Sequence, residues 1–495
     1  HALDRFEGGG ATKASGGVVY LGGGTQAQKD AGVEDDPDNM AAYLKQETGD
    51  IVAPETLSEF CQQSADNETW LRTHGVRFDP RLWPGKTSYP NAEYFLYHSD
   101  NSLVPAYARH ARPAARGHRG WVPVKEGRKA INLGGSIFDP LLSSAHDRGL
   151  VLTRLADARQ LVIDDTGRVL GVKAYVFEPG SEEADAYLTL RAKALRWMTM
   201  YPPILPGAGF FFRKGMALSA KAAALQNRRV VKYFRARRGV VISAGGFVYN
   251  RSLMNSHAPK FKAGYPLGTE GDDGAGIGLG VSAGGATGNL SRVTAWRFIN
   301  PPFSFARGMI INTSGERFIN EMVYGAALGV EIGEHQDGKA WLILSKALVK
   351  AALDEVKGAR ALPFQRDLAR LNVWLAAKKS HSVRGLATKI GVDPDVLKKS
   401  LVAYNLQARG ETPCPFEKSA TDMAEIEGEK LYAIDVSLAA KLFPCPVLTL
   451  GGLRVDEKTG AVLSTVTGHQ PIAGLYAAGR SAIGVCSWNY VSGLS

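Results

Sequence analysis

Leu3-Asp4-Arg5-Phe6-Glu7-Gly8-Gly9-Gly10-Ala11-Thr12-Lys13-Ala14-Ser15-Gly16-Gly17 decides how the chain is read. Leu3-Asp4 has the form of a strand that ends on an acidic residue. In a dinucleotide fold such a residue bonds a ribose 2′-hydroxyl. The loop after it is built of glycine, alanine and two hydroxyl residues, and it leaves a run of backbone N–H groups for a pyrophosphate. A plain glycine turn is the bland alternative. The Gly-x-Gly-x-x-Gly fingerprint belongs about 20 residues before the acidic residue. Asp4 has no such span ahead of it, so the chain reads as a piece of a longer protein, and as given it is expected to bind a dinucleotide weakly or not at all. The glycine turn at Gly493-Leu494-Ser495 suggests the same of the other end.

Further segments agree with this opening. Gly239-Val240-Val241-Ile242-Ser243-Ala244-Gly245-Gly246 is a continuous apolar run closed by glycines, the pattern of a strand buried on both faces. Gly271-Asp272-Asp273-Gly274 leads into what reads as a helix, whose first N–H groups suit an anion. Gly474-Leu475-Tyr476-Ala477-Ala478-Gly479-Arg480 reads as a strand and a tight turn. Helical periodicity covers 36–75, 134–148, 340–356 and 393–407, and strands cover 150–174 with a turn at Asp165-Thr166-Gly167. Alternating strands and helices over 495 residues predict an α/β protein: a Rossmann-like nucleotide domain (1–285 and 441–495) with an inserted α+β catalytic domain (286–440).

Glycine numbers 56, well above an ordinary share of roughly 7%, and it is clustered without a three-residue period, which excludes collagen. Hydrophobic residues at 45% exclude a disordered chain. Cys61, Cys414, Cys445 and Cys486 are widely spaced, so no zinc or dithiol motif is legible, no metal site is expected, and four reduced thiols in a cytoplasmic protein are. His118 reads as structural.

The net charge of +11 is local. Residues 186–269 hold no acidic residue, and twelve cations lie between Arg191 and Arg238. Within them, Trp197 to Phe212 is apolar, aromatic and broken by three prolines, so it cannot span a bilayer. Residues 181–238 are therefore set apart as a basic, apolar insertion. Its stretch 197–212 suits a membrane surface, which would make the protein peripheral at the inner membrane face. A loop packed on the protein and a contact between copies are the other readings. No nucleic-acid motif accompanies the charge, so a nucleic-acid partner is not expected.

Five stretches carry a resemblance: Asp4 to Gly24, Gly271 to Ile277, Gly315-Glu316-Arg317-Phe318-Ile319-Asn320-Glu321-Met322-Val323-Tyr324-Gly325, Thr449 to Asp456, and Gly479 to Ser495. Together they resemble the 3-ketosteroid dehydrogenases of the succinate dehydrogenase/fumarate reductase flavoprotein superfamily, over nearly the whole chain except about 181–238. The resemblance implies FAD held non-covalently and a steroid between the two domains. It implies that Asp4 holds the adenosine ribose with Arg5 beside it, and that Thr12, Ser15, Gly16 and Gly17 line the diphosphate and flavin. Ala158 and Ala244 fall on the adenine side, Gly245, Asp273, Gly479 and Arg480 near the cofactor, and Leu494 and Ser495 near the flavin ring.

It also implies two catalytic tyrosines, Tyr324 and Tyr490. Members that desaturate C1–C2 carry Tyr-x-x-x-Gly, whereas Leu494 is fourth after Tyr490 here. Tyr490-Val491-Ser492 resembles the Δ4-(5α) members, which form the C4–C5 double bond. In that chemistry Tyr490, aided by a backbone N–H near Leu494, polarises the C3 carbonyl. Ser492 takes the C4 proton and passes it to Tyr324, which needs either a relay or a lowered phenol pKa. Tyr89 is a candidate for the steroid wall. The steroid side chain and the electron acceptor are not legible. The alternatives are a Δ1-dehydrogenase, a fumarate-reductase-like enzyme, and a non-catalytic flavin or lipid-surface protein. Dicarboxylate reduction needs an arginine soon after Arg317, and none occurs before Arg360.

Overall fold

A computed structural model of the chain describes residues 1–127, 133–199 and 208–494. The nucleotide side is built on parallel pairs. Ala2–Leu3 lies beside Leu152–Thr153, and Val240–Ile242 lies beside Pro471–Ala477. Parallel neighbours need long crossovers, and these are supplied by helices such as Gly135–Asp147 and Ala275–Ser282. Three antiparallel strands, Ala156–Ile163, Val169–Val176 and Val230–Arg235, form a separate meander.

The helical stretch 36–75 resolves into Pro37–Thr48, Pro54–Gln62 and Ser64–Thr73. Asp36 caps the first by accepting the Asn39 N–H, with proline at the first helical position. Met40, Tyr43, Leu44, Leu57 and Cys61 turn inward and close over Tyr20 and Val491. This small core pins the carboxyl-terminal loop.

The other side is a four-stranded antiparallel sheet, ordered Met309–Ile311, Trp341–Ser345, Leu431–Asp435, Lys378–Ser380. Helices Lys346–Glu355, Val383–Ile390 and Pro394–Ala408 accompany it. Asp393 accepts the N–H groups of Asp395 and Val396 and so caps the last of these. Pro446–Thr449 runs between Tyr265–Pro266 and Val293–Ala295, stitching the two sides together.

Two expectations need correction. Residues 341–345, read as the start of a helix, are a strand: Leu342, Ile343 and Leu344 are fully buried, and an apolar run buried on both faces has no period to distinguish it from a helix. The strand within 239–246 is only Val240–Ile242 and is not buried on both faces, because Val241 is 61% exposed. Within 181–238 the described residues hold two helices and a strand. The helices are Glu182–Thr199 and Ala208–Leu225, and the strand Val230–Arg235 pairs into the meander. The central part of the proline-broken stretch, 200–207, lies outside the described residues. Among the described residues, no helix is long and apolar enough to cross a membrane, and no group of three or more His, Cys, Asp or Glu could hold a metal ion.

Candidate active site

The opening loop folds tightly on itself. Asp4 Oδ1 accepts the Phe6 N–H at 2.8 Å, which turns the chain at the strand end. Gly9 has φ +93°, and a Cβ there would lie 2.6 Å from Lys13 Cβ, so only glycine fits. Thr12 sits in the short helix Gly10–Ala14. Ser15 Oγ donates to Thr12 O at 2.8 Å and accepts the Gly17 N–H at 3.0 Å, so its hydroxyl braces the loop. The Gly16 carbonyl accepts the Tyr89 hydroxyl at 2.6 Å, and a Cβ on Gly16 would meet the Tyr89 ring at 2.9 Å. Tyr89, expected on the steroid wall, is thus also a strut for this loop.

Arg5 joins the loop to a second cluster. Its Nη1 pairs with Asp273 at 2.5 Å, and its Nε lies 3.6 Å from Asp157, the neighbour of Ala158. Asp273 Oδ1 accepts the Ala275 N–H at 3.0 Å at the start of helix Ala275–Ser282. Ala244 faces that helix: a Cβ on Gly276 would lie 2.8 Å from Ala244 Cβ. Next to it, Asp272 Oδ1 accepts the Gly246 N–H at 3.1 Å and Arg480 Nη2 at 2.5 Å. A Cβ on Gly245 would fall 2.2 Å from that same oxygen. Arg480 Nη1 is buried and without a hydrogen-bond partner, whereas Gly479, at φ +57°, borders open space. A buried cationic N–H without an acceptor, next in sequence to a glycine that borders open space, fits an anionic or carbonyl-bearing group such as FAD.

Tyr324 and Tyr490 come from the two sides of the molecule and meet in one buried cluster with Ala326, Leu448 and Leu450, packed by Leu267, Trp296 and Phe298. The Trp296 and Tyr490 rings are 4.9 Å apart, and Phe298 meets Tyr324 edge-on at 6.1 Å. Ser492 lies between phenols. Tyr97 donates its hydroxyl to Ser492 Oγ at 3.2 Å, and Ser492 is close enough to Tyr324 to act on its phenol. The Gly493 N–H donates to Tyr490 Oη at 3.3 Å, while the Leu494 N–H donates to Val491 O at 3.2 Å and closes the turn. Ser495 lies outside the described residues.

Burial pushes the Tyr324 phenol well above its ordinary pKa, helped by the neighbouring Tyr97 and Tyr490 and opposed by Ser492. Tyr97 is pushed up in the same way. Burial thus works against a lowered pKa at Tyr324 and favours the neutral phenol.

Tyr97 was not among the sequence candidates. Its signal was present: an aromatic strand, Leu96–His98, runs straight into Ser99-Asp100-Asn101-Ser102, a polar turn that is almost wholly buried. Asp272 was missed in favour of its neighbour Asp273. His118 bonds Thr25 Oγ1 at 2.8 Å and the Arg116 carbonyl at 3.0 Å, which is a structural role.

A family model described as FAD binding domain matches residues 4–495. The chain is 36% identical over 481 residues to the 3-oxo-5-alpha-steroid 4-dehydrogenase of Comamonas testosteroni, covering 96% of this chain and 87% of that one. It is 24% identical to a 3-oxosteroid 1-dehydrogenase of Mycobacterium tuberculosis, covering 97% and 88%. Its fold superposes with a TM-score of 0.80 and 27% identity on the 3-ketosteroid-Δ4-(5α)-dehydrogenase of Rhodococcus jostii RHA1, solved with 4-androstene-3,17-dione, covering 100% of this chain and 87% of that one. The match over almost every residue, together with a nucleotide-side cluster that offers a buried, unsatisfied arginine, establishes that the chain belongs to the FAD-binding flavoprotein family that includes these steroid dehydrogenases.

Proposed function

We propose that the chain is an FAD-dependent 3-ketosteroid dehydrogenase that removes a C4 proton and a C5 hydride from a 5α-3-ketosteroid, leaving the Δ4-3-ketosteroid. The observation that carries this reading is Ser492 hydrogen-bonded to Tyr97, beside the buried enclosure in which Tyr324 and Tyr490 meet. When bound, FAD supplies the two-electron acceptor for the C5 hydride. Asp4, the 8–17 loop, Gly245 and Arg480 are the residues that would hold it.

Tyr490 donates its hydroxyl to the C3 carbonyl, raising the acidity of C4. The N–H that Tyr490 Oη receives from Gly493 polarises the phenol and makes it a stronger donor. A donor placed on a developing oxyanion contributes about 3 kcal/mol. Ser492 Oγ takes the C4 proton as its own proton passes to Tyr324 Oη, and the phenol's original proton leaves by a relay to solvent, so that each hydroxyl ends neutral. Tyr97 occupies a lone pair of Ser492 and so points the serine proton toward Tyr324. Trp296, Phe298 and Leu448 keep the site dry, so these weak bases do not compete with water.

A Δ1 reaction fits less well, because glycine is absent from the fourth position after Tyr490. Dicarboxylate reduction lacks its arginine: Arg317 is committed to Glu321, Gln407 and Cys414. The test is the product. Incubation with a 5α-3-ketosteroid and an artificial electron acceptor should yield the conjugated Δ4 enone; a 1-ene, or no enone, contradicts the reading.

For the partner surface, we infer that the helices Glu182–Thr199 and Ala208–Leu225 rest on anionic lipid. Leu195, Phe210, Phe212 and Met216 are each at least half exposed and lie in sequence beside the exposed cations Lys193, Arg196, Arg213 and Lys214. Apolar side chains flanked by cations are the composition that interfacial helices use. A substrate that partitions into bilayers gives such contact a purpose.

A further inference from the structure

The turn Ser99-Asp100-Asn101-Ser102 is almost completely buried, although every residue in it is polar. Each of its side chains is accounted for. Asp100 Oδ2 accepts the Tyr20 hydroxyl at 2.7 Å and Oδ1 accepts the Ser102 N–H at 2.9 Å. Ser102 Oγ lies 3.1 Å from His98 Nδ1. The other two residues reach the catalytic side chains from opposite ends. Ser99 clasps the backbone of Ser492: its carbonyl accepts the Ser492 N–H at 3.1 Å, and its hydroxyl donates to the Ser492 carbonyl at 3.2 Å. Asn101 Oδ1 accepts the Tyr324 N–H at 2.6 Å. One four-residue turn thus holds the two groups between which the proton must pass, one from each side of the molecule.

The Asn101 carboxamide can do this only in one orientation. Its Nδ2 must face an acceptor so that its oxygen faces Tyr324. Glu47 provides that acceptor, taking Nδ2 on Oε1 at 2.6 Å and the Tyr43 hydroxyl on the same atom, also at 2.6 Å. The Asn101 N–H donates to Tyr43 Oη at 2.9 Å, which closes a ring of three residues. Glu47 and Tyr43 lie on the helix Pro37–Thr48, so this helix fixes the direction of an amide that it does not share with the reacting groups.

Resting on the proposed steroid chemistry, we propose that Asn101 is a positioning residue. Oriented by Glu47, it holds Tyr324 at the distance from Ser492 that proton transfer requires. A one-ångström shift of such a pair slows proton transfer strongly while leaving a mainly apolar substrate bound, so the effect belongs in kcat and not in KM.

The test reverses the polarity of the Asn101–Glu47 bond. Asn101→Asp keeps an oxygen for the Tyr324 N–H but sets an oxygen against Glu47. Two carboxyls this close cannot both be ionised without repulsion. The kcat of N101D should therefore fall about tenfold or more relative to the unaltered protein as pH rises from about 6 to about 8, with KM within about twofold. Asn101→Asp combined with Glu47→Gln restores a donor opposite an acceptor and should recover kcat to within about threefold at both pH values. N101D tracking the unaltered protein across this range, or a double variant no better than N101D, would overturn the proposal. Should N101D alone fail to hold flavin, the double variant decides.

Hydrogen exchange separates this inference from the functional one, because it needs no turnover. The peptide containing Tyr324 should exchange faster in N101D at the higher pH and slow again in the double variant. Unchanged exchange defeats the positioning role even if the steroid is turned over. Changed exchange without turnover keeps the clamp and defeats the steroid reading.

Discussion

Tyr97 Oη lies 3.2 Å from Ser492 Oγ, although 395 residues separate them in the chain. The contact gives Ser492 a donor, and in the proposed chemistry it directs the serine proton toward the neighbouring Tyr324. Tyr97→Phe removes the donor without changing the packing. The loss of a hydroxyl hydrogen bond of roughly 1–2 kcal/mol corresponds to about a five- to thirtyfold fall in kcat. KM for the steroid should stay within about twofold, since uniform binding is untouched. Steady-state kinetics checks this; an equal rise in KM with kcat preserved would assign Tyr97 to the steroid wall.

Glu47 carries a pH signature. Burial raises its carboxyl from 4.5 to about 7, opposed by hydrogen bonds from Tyr43 and Asn101 and by the charge of Lys86, and reinforced by Asp100. A carboxyl whose pKa is raised by folding stabilises the fold fully below its ordinary value, and that contribution is lost as pH climbs through about 7. The swing is roughly 3 kcal/mol at most. Glu47→Gln removes the titration. The melting temperature of E47Q relative to the unaltered protein should therefore rise between about pH 5 and about pH 8. Parallel pH curves for the two proteins contradict this.

Arg480 is set by Asp272 through one nitrogen and leaves the other buried and unsatisfied. Arg480→Met should weaken FAD binding about ten- to a hundredfold, the range of one charge-assisted hydrogen bond lost. Flavin fluorescence titration of the deflavinated protein measures it. Unchanged affinity would move Arg480 out of the cofactor site and leave its orphan nitrogen without a role.

Much of this site was legible in the sequence because glycine and aspartate mark it directly. Gly9 and Gly245 stand where any side chain would collide, and Asp4 ends its strand as read. Tyr324, Tyr490 and Ser492 stand out in the sequence through their motifs, and the fold brings the two tyrosines into one buried cluster. Tyr97 and Asn101 do not stand out. Their significance is created by long-range packing, across 395 residues for Tyr97 and Ser492 and 223 for Asn101 and Tyr324, which no local periodicity records. The strand Trp341–Ser345 was missed for the opposite reason: burial on both faces erases the alternation that would have identified it.

The basic helical hairpin makes a separable prediction. The protein should pellet with vesicles containing anionic phospholipid at low ionic strength and release as salt is raised, since exposed cations are screened over about 10 Å at 0.1 M. Phe210→Ser together with Phe212→Ser should reduce the pelleted fraction by half or more while turnover of a detergent-dispersed steroid stays unchanged. Undiminished pelleting would remove these helices from the interface.

The most direct measurement is anaerobic mixing of the flavin-loaded protein with one equivalent of a 5α-3-ketosteroid. The proposed chemistry predicts stoichiometric bleaching of the flavin band with one Δ4-3-ketosteroid formed per flavin, and no bleaching by succinate. A flavin that keeps its colour with the steroid, or that succinate bleaches instead, would contradict it.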